Sequence, residues 1–146
     1  MAGPRPERRR RDFYTHWITD RIRFSDTDQV GHVNNLALAA YVETGRLYHS
    51  LEVLQPLLGA GHGFILARVE IDYLAELHFG GQVDVGTRVV QLGRSSLTVG
   101  TAVFGPDRGC AVVADSIVAH LGPQGPSPFP ADLRRRLQGQ LPPAAA

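Results

Sequence analysis

Two acids, a glycine, a histidine and two amides crowd one short stretch: Asp26, Asp28, Gly31, His32, Asn34 and Asn35. A carboxylate placed there could attack an acyl carbonyl or take a proton from water. If the amides open a helix, its unpaired backbone N–H groups could hold the negative charge that builds on the carbonyl oxygen. A fold alone needs no such arrangement. The chemistry is therefore expected between residues 25 and 35.

The flanking patterns say what positions this turn. From His16 to Phe24, apolar Trp17, Ile18, Ile22 and Phe24 are interspersed with polar residues, which predicts a half-buried strand leading into the acids. From Asn35 to about Leu54 there is no proline, and Asn34 or Asn35 suits an N-cap. Leu36, Ala40, Leu47, Leu51 and Leu54 recur at spacings that fit one helical face. Glu43 and Arg46 are the only formal charges from Asn35 to Leu51, so the helix is nearly apolar all round and should be central. Those two residues stand at i,i+3 and are expected to pair. Gly45 between them suggests close approach of another backbone or of a ligand.

The remainder reads as strand after strand. Arg68, Glu70 and Asp72 alternate with Val69, Ile71 and Tyr73, and Gly80-Gly81 is expected to turn this strand into the next. Val83–Val89, Leu97–Val103 and Cys110–Leu121 follow, the last apolar on both faces and so interior to the sheet. Four consecutive strands suggest a meander. A short helix is expected over Ala131–Leu137, with Arg134, Arg135 and Arg136 near its C-terminal end, as a helix dipole favours.

Composition removes several function classes. At 146 residues the chain fits one domain, and a net charge of +1 gives no general case for nucleic acid. Arg5 and Arg8–Arg11 crowd the N-terminus without interleaved aromatics, so residues 1–14 read as a solvated basic tail, 15–138 as the domain and 139–146 as a second tail. No apolar run reaches a membrane-spanning length or follows the basic residues as a secretory signal would, which reads as a cytoplasmic protein without membrane contact. All 15 basic residues are arginine, which excludes Schiff-base chemistry and a P-loop lysine. The single Cys110 excludes a CxxC site and reads as a small buried hydrophobe. Asp26, Asp28 and Gly31 match positions 1, 3 and 6 of a calcium loop, but Val30 and Ala37 stand where further ligands are needed, so neither metal nor cofactor is expected.

One strand, one long apolar helix and a run of antiparallel strands make an α+β domain with its sheet curled over the helix. A helix covers one face only, so a homodimer or larger assembly is expected. Arg23-Phe24-Ser25-Asp26-Thr27-Asp28, then Gly31-His32-Val33-Asn34-Asn35, then Tyr41, Glu43 and Arg46, resemble the hot-dog-fold acyl-CoA thioesterases of the 4-hydroxybenzoyl-CoA thioesterase type. Gly93-Arg94-Ser95-Ser96 and Pro130–Leu137 extend the resemblance, while Leu38 and Gly45 depart from the Tyr and Ala that members often carry.

The resemblance implies an antiparallel sheet around a long central helix, with active sites at the interfaces of a homodimer or homotetramer. It implies hydrolysis of an acyl-CoA, or alternatively an acyl-carrier-protein thioester, with Asp28 as nucleophile or general base. The Asn35 backbone N–H would hold the oxyanion, and His32 and Asn34 would orient Asp28, water or thioester; the alternative for His32 is a structural turn residue. Asp26 is expected to satisfy turn donors. Arg94, with Ser95, and then Arg88 are the candidate contacts for the phosphates of coenzyme A, against the plain reading of surface arginines. The rival to an enzyme is a non-catalytic module of the same fold that binds acyl thioesters or a protein partner.

Overall fold

Residues 6–144 are described by a computed structural model. The strands are β1 (His16–Arg21), β2 (Gly63–Tyr73), β3 (Gln82–Leu92), β4 (Ser96–Phe104), β5 (Cys110–Gly122) and the two-residue β6 (Gly125–Pro126). The helices are α1 (Asn35–His49) and α2 (Ala131–Gln138). Every strand pairing is antiparallel, and the sheet runs β1-β3-β4-β5-β2, with β6 folded back on β5. The expected α+β arrangement of a sheet wrapped around one central helix is present. No described helix is long and apolar enough to cross a membrane.

The meander is shorter than the sequence suggests. Only β3, β4 and β5 follow one another; β2 pairs with β5, and the Gly80-Gly81 turn does not join neighbouring strands. Residues 74–81 instead cross the end of the sheet. Leu74 and Ala75 both donate to the Ala111 carbonyl, and the Leu77 carbonyl accepts from Val33 N. The local signals marked a turn but could not specify which edge the chain would join. β1 also stops at Arg21, short of Phe24, where the chain coils into a short 3-10 turn over Phe24–Asp26.

α1 continues as a π-helical stretch over Ser50–Leu54 and a 3-10 turn over Gln55–Leu57, so the expected extent is met. Its buried face differs from the expected one. Leu38, Tyr41, Val42, Gly45 and His49 face the sheet, whereas Leu36 is 83% exposed and Leu47 53%. In a helix apolar on all sides several stripes satisfy the same period, and the sheet selects the one carrying Gly45. A methyl at Gly45 would stand 2.4 Å from Val85 Cγ1, so the close approach is to a strand side chain, rather than to backbone or a ligand. Glu43 and Arg46 do not pair; Arg46 Nη1 reaches across to Ser116 Oγ at 3.1 Å.

The convex face of the sheet has its own cover. Residues 1–5, Arg5 among them, lie outside the described residues, but residues 6–14 do not behave as a solvated tail. Pro6–Arg9 and Arg11–Phe13 are 3-10 turns; Arg8 is buried and ion-paired with Asp115, and Arg11 pairs with Asp84 at 2.9 Å. The Arg11 guanidinium also lies over the Trp17 and Phe104 rings. Tyr14 is packed with Ala102, Phe104 and Val113, and its hydroxyl donates to the Arg8 carbonyl. An unpaired arginine run reads as solvated because its partners, Asp84 and Asp115, are distant in sequence. At the other end Leu141 packs onto the cluster around α2, and residues 145–146 lie outside the described residues. Cys110 is half-buried, as a small core residue would be at a strand end, and burial pushes its thiol pKa up.

Candidate active site

The acid turn is held by its own backbone. A bridge between Thr27 and Val33 closes it, Asp28 N donates to the His32 carbonyl, and Gly31 takes φ 90, a left-handed conformation that favours glycine. Asp26 and Asp28 then diverge. Asp26 Oδ2 accepts from Arg23 N at 2.8 Å and from the Tyr41 hydroxyl at 2.5 Å, which makes it the structural acid expected from the sequence. Burial, and next the Asp26 bond, push the Tyr41 pKa well above its ordinary value. Asp28 is exposed; its Oδ1 accepts from Val30 N at 2.9 Å, and its Oδ2 meets no donor among the described residues.

Asn34 is the N-cap of α1. Its Oδ1 accepts from Ala37 N at 2.8 Å, so the side chain is occupied with the helix rather than with Asp28. The next backbone N–H, that of Asn35, finds no acceptor among the described residues. It sits where the helix dipole presents its positive end.

His32 leans the other way, its Nε2 3.2 Å from Glu76 Oε2 and its ring edge-on to His78 at 5.2 Å. His32 and Asn35 together line a cavity of about 290 Å³ with Val33, Leu38, Tyr73 and Glu76. Asp28 is not part of that lining. A larger cavity of about 440 Å³ opens on the opposite flank of α1, against β1, and contains Asp26 and Tyr41 but none of Asp28, His32 and Asn35. Tyr73 and Glu76 are lining residues that sequence reasoning missed. One ends a strand and the other stands in the crossing segment, and nothing local signals that this segment returns to the acid turn.

The three remaining candidates lie elsewhere. Arg94 and Ser95 are exposed on the β3–β4 turn, where their carbonyls accept from Phe129 N and His120 N. That is the far end of β5, whereas the Asn35 end is level with Val112, the partner of Tyr73. At the rise of a strand, Val112 and His120 are roughly 26 Å apart. Arg88 faces the convex side, donating from Nη1 to the Phe13 carbonyl at 2.8 Å; it anchors the N-terminal segment and is not free at a pocket. Within one chain the structure thus puts Asp28, His32, Asn34 and Asn35 on one turn, of which His32 and Asn35 reach the cavity, and leaves Arg94, Ser95 and Arg88 outside.

Known proteins share this fold. The description of the thioesterase-like superfamily matches residues 22–137. No curated protein matches significantly. Among solved structures, a thioesterase from Thermus thermophilus complexed with coenzyme A and Zn is 31% identical, with 86% of this chain and 98% of that one covered and a TM-score of 0.71. A protein from Pseudomonas aeruginosa is 25% identical over 92% of this chain and 97% of its own, at a TM-score of 0.72. A thioesterase-superfamily protein from a Jannaschia species is 26% identical over 87% and 83%, at a TM-score of 0.73. The curled sheet around α1 is the hot-dog fold of these neighbours.

Proposed function

Because the chain belongs to the thioesterase-like superfamily and is a thioester hydrolase by that membership, we propose that its substrate is an acyl-CoA and that Asp28 carries the reaction. One observation supports this above the others: an exposed carboxylate with a free oxygen stands on the turn that ends at the unpaired Asn35 N–H. The thioester carbonyl would lie against that N–H, with the acyl group entering the cavity lined by His32, Leu38 and Tyr73.

In one route Asp28 attacks the carbonyl carbon, the C–S bond breaks, and coenzyme A leaves as a thiolate that takes a proton from water; a second water then hydrolyses the acyl-aspartyl anhydride. In the other, Asp28 takes a proton from water as that water attacks the carbonyl carbon directly, and the C–S bond then breaks to release the coenzyme A thiolate, which takes the proton back from Asp28. Both use the Asn35 N–H for the oxyanion, a donor whose loss typically costs about 3 kcal/mol of transition-state stabilisation. His32, tied to Glu76, would fix the cavity wall, and Asn34 would act by capping the helix that presents the amide.

Arg94 and Ser95 fit as phosphate contacts only if a second copy supplies them. β2 is a sheet edge on which Ile65, Leu66, Val69 and Tyr73 are exposed, so it is suited to pair with the same edge of another chain. Two-fold pairing would carry the partner's turn toward this chain's Asn35 end. The proposed unit is therefore a homodimer with composite sites. A carrier-protein thioester would present the same reacting carbonyl, and coenzyme A is preferred on the 31%-identical neighbour that is complexed with it.

Asp28→Asn tests the reading. Thiol release from a panel of short, medium, long and aromatic acyl-CoAs should fall at least about hundredfold while the unfolding midpoint holds. Equal thiol release by wild type and variant would make Asp28 a turn residue, and binding of acyl-CoA by both with release by neither would make the chain a binding module.

A further inference from the structure

Arg46 makes no ion pair among the described residues. It is half-buried on α1, and no carboxylate among the described residues comes within 4 Å of it. Its hydrogen-bond partner is the neutral Ser116 Oγ at 3.1 Å, on a residue that is fully buried. Burial lowers the pKa of the guanidinium, and the charge of Glu43 on the same helix offsets this only in part. Nearby on the sheet, Thr101 Oγ1 is buried and makes no hydrogen bond at all. Withdrawing such groups from water is costly unless something else completes them.

The surroundings say what kind of group that would be. The inner row of β2, Leu66, Val69, Ile71 and Tyr73, is left partly uncovered because α1 packs over β1, β3 and β4. This makes an apolar trough along one flank of the helix, beginning at the cavity that holds Asn35 and Tyr73. Asn35 and Arg46 are close to three whole turns apart and so share that flank, separated by about 16 Å along the axis. An arginine leans toward the N-terminus of its helix, which brings the guanidinium to roughly 10 Å from the Asn35 amide. A medium-length acyl group held at that amide would run along the trough and end at the cation.

We infer that Arg46, steadied by Ser116, is a specificity-determining residue that selects thioesters whose acyl group ends in a carboxylate. This rests on the thioesterase reading above, and its test separates the two. Medium-chain acyl-CoAs of matched length, ending in a methyl or a carboxylate, are compared in wild type and Arg46→Met. The ratio of kcat/KM for carboxylate over methyl should favour carboxylate by at least about tenfold in wild type and fall at least about tenfold in the variant. The same pairs titrated calorimetrically into Asp28→Asn, with and without Arg46→Met, read the preference without turnover, so a failure of hydrolysis leaves the binding ratio decisive. A wild-type ratio near one overturns the inference, as does a ratio that survives Arg46→Met. So does a variant that only splits the assembly, which would assign Arg46 to a contact with the Glu43 side chain of a second copy.

Discussion

Gly45→Ala puts the seat of the central helix to a quantitative test. Alanine favours a helix interior over glycine by about 1 kcal/mol, so on propensity alone the change should stabilise. The added methyl would lie 2.4 Å from Val85 Cγ1, 3.3 Å from Val85 Cβ and 3.6 Å from Thr87 Cγ2. Carbon pairs settle at about 3.5–4.0 Å, so the first contact is short by more than about 1 Å. Val85 is fully buried on β3, and valine has little rotamer freedom with which to yield. Overpacking of this kind costs about 1–3 kcal/mol and outweighs the gain in propensity. With a contact this short the cost is set at the upper end, about 2–3 kcal/mol, so a net loss of about 1–2 kcal/mol is expected in urea unfolding. Val85→Ala removes the offending methyl, so the double variant should be more stable than the sum of the single effects by at least about 1 kcal/mol. Lifting α1 would also displace the Asn35 amide, and thiol release should fall in Gly45→Ala and recover in the double variant. A Gly45→Ala protein as stable as wild type, or additive losses, would refute the close seat of helix on strand.

Acid should weaken the fold through His49, which is 1% exposed, and burial first and His16 second hold its pKa down to about 4. The unfolded chain takes up this proton below the ordinary value near 6.5, so the stability is full above that pH and is lost as pH falls through about 4. His49→Leu should therefore gain on wild type by about 2 kcal/mol at pH 5 and about 3 kcal/mol at pH 4, relative to their difference at pH 8; a flat difference in unfolding free energy would show that His49 titrates normally. Deleting residues 1–13 should uncover Ala102, Phe104 and Val113, raise binding of a hydrophobic dye and lower stability by at least about 2 kcal/mol. An unchanged unfolding curve would mean that the segment adds nothing to the fold.

Much of the architecture could be read from local patterns. The proline-free run after Asn34 gave α1, and period-two alternation gave β2 to β5 within a few residues. What could not be read depended on pairing across the chain. Alternation around Val69 and Ile71 marks a strand, but its neighbour is decided by the path of residues 74–81, which no local signal encodes. The buried stripe of α1 was ambiguous because Leu36, Leu47 and Leu51 fit the helical period as well as Leu38, Val42 and His49 do. At the site, the turn chemistry of Asp26 and the cap at Asn34 were legible because both act within a few residues of themselves. Arg88 looked like a surface cation because its acceptor, the Phe13 carbonyl, is 75 residues away. Glu76 was invisible for the same reason.

The N-terminal segment on the back of the sheet has a practical corollary in a chain whose basic residues are all arginine. Arg9 and Arg10 are exposed, but both sit in or beside tight 3-10 coils flanked by the anchored Arg8 and Tyr14. A protease that cuts after arginine needs several residues of extended backbone, and here it would find them only while the segment has peeled away. Trypsin nicking at these two bonds therefore counts how often the back of the sheet is laid bare.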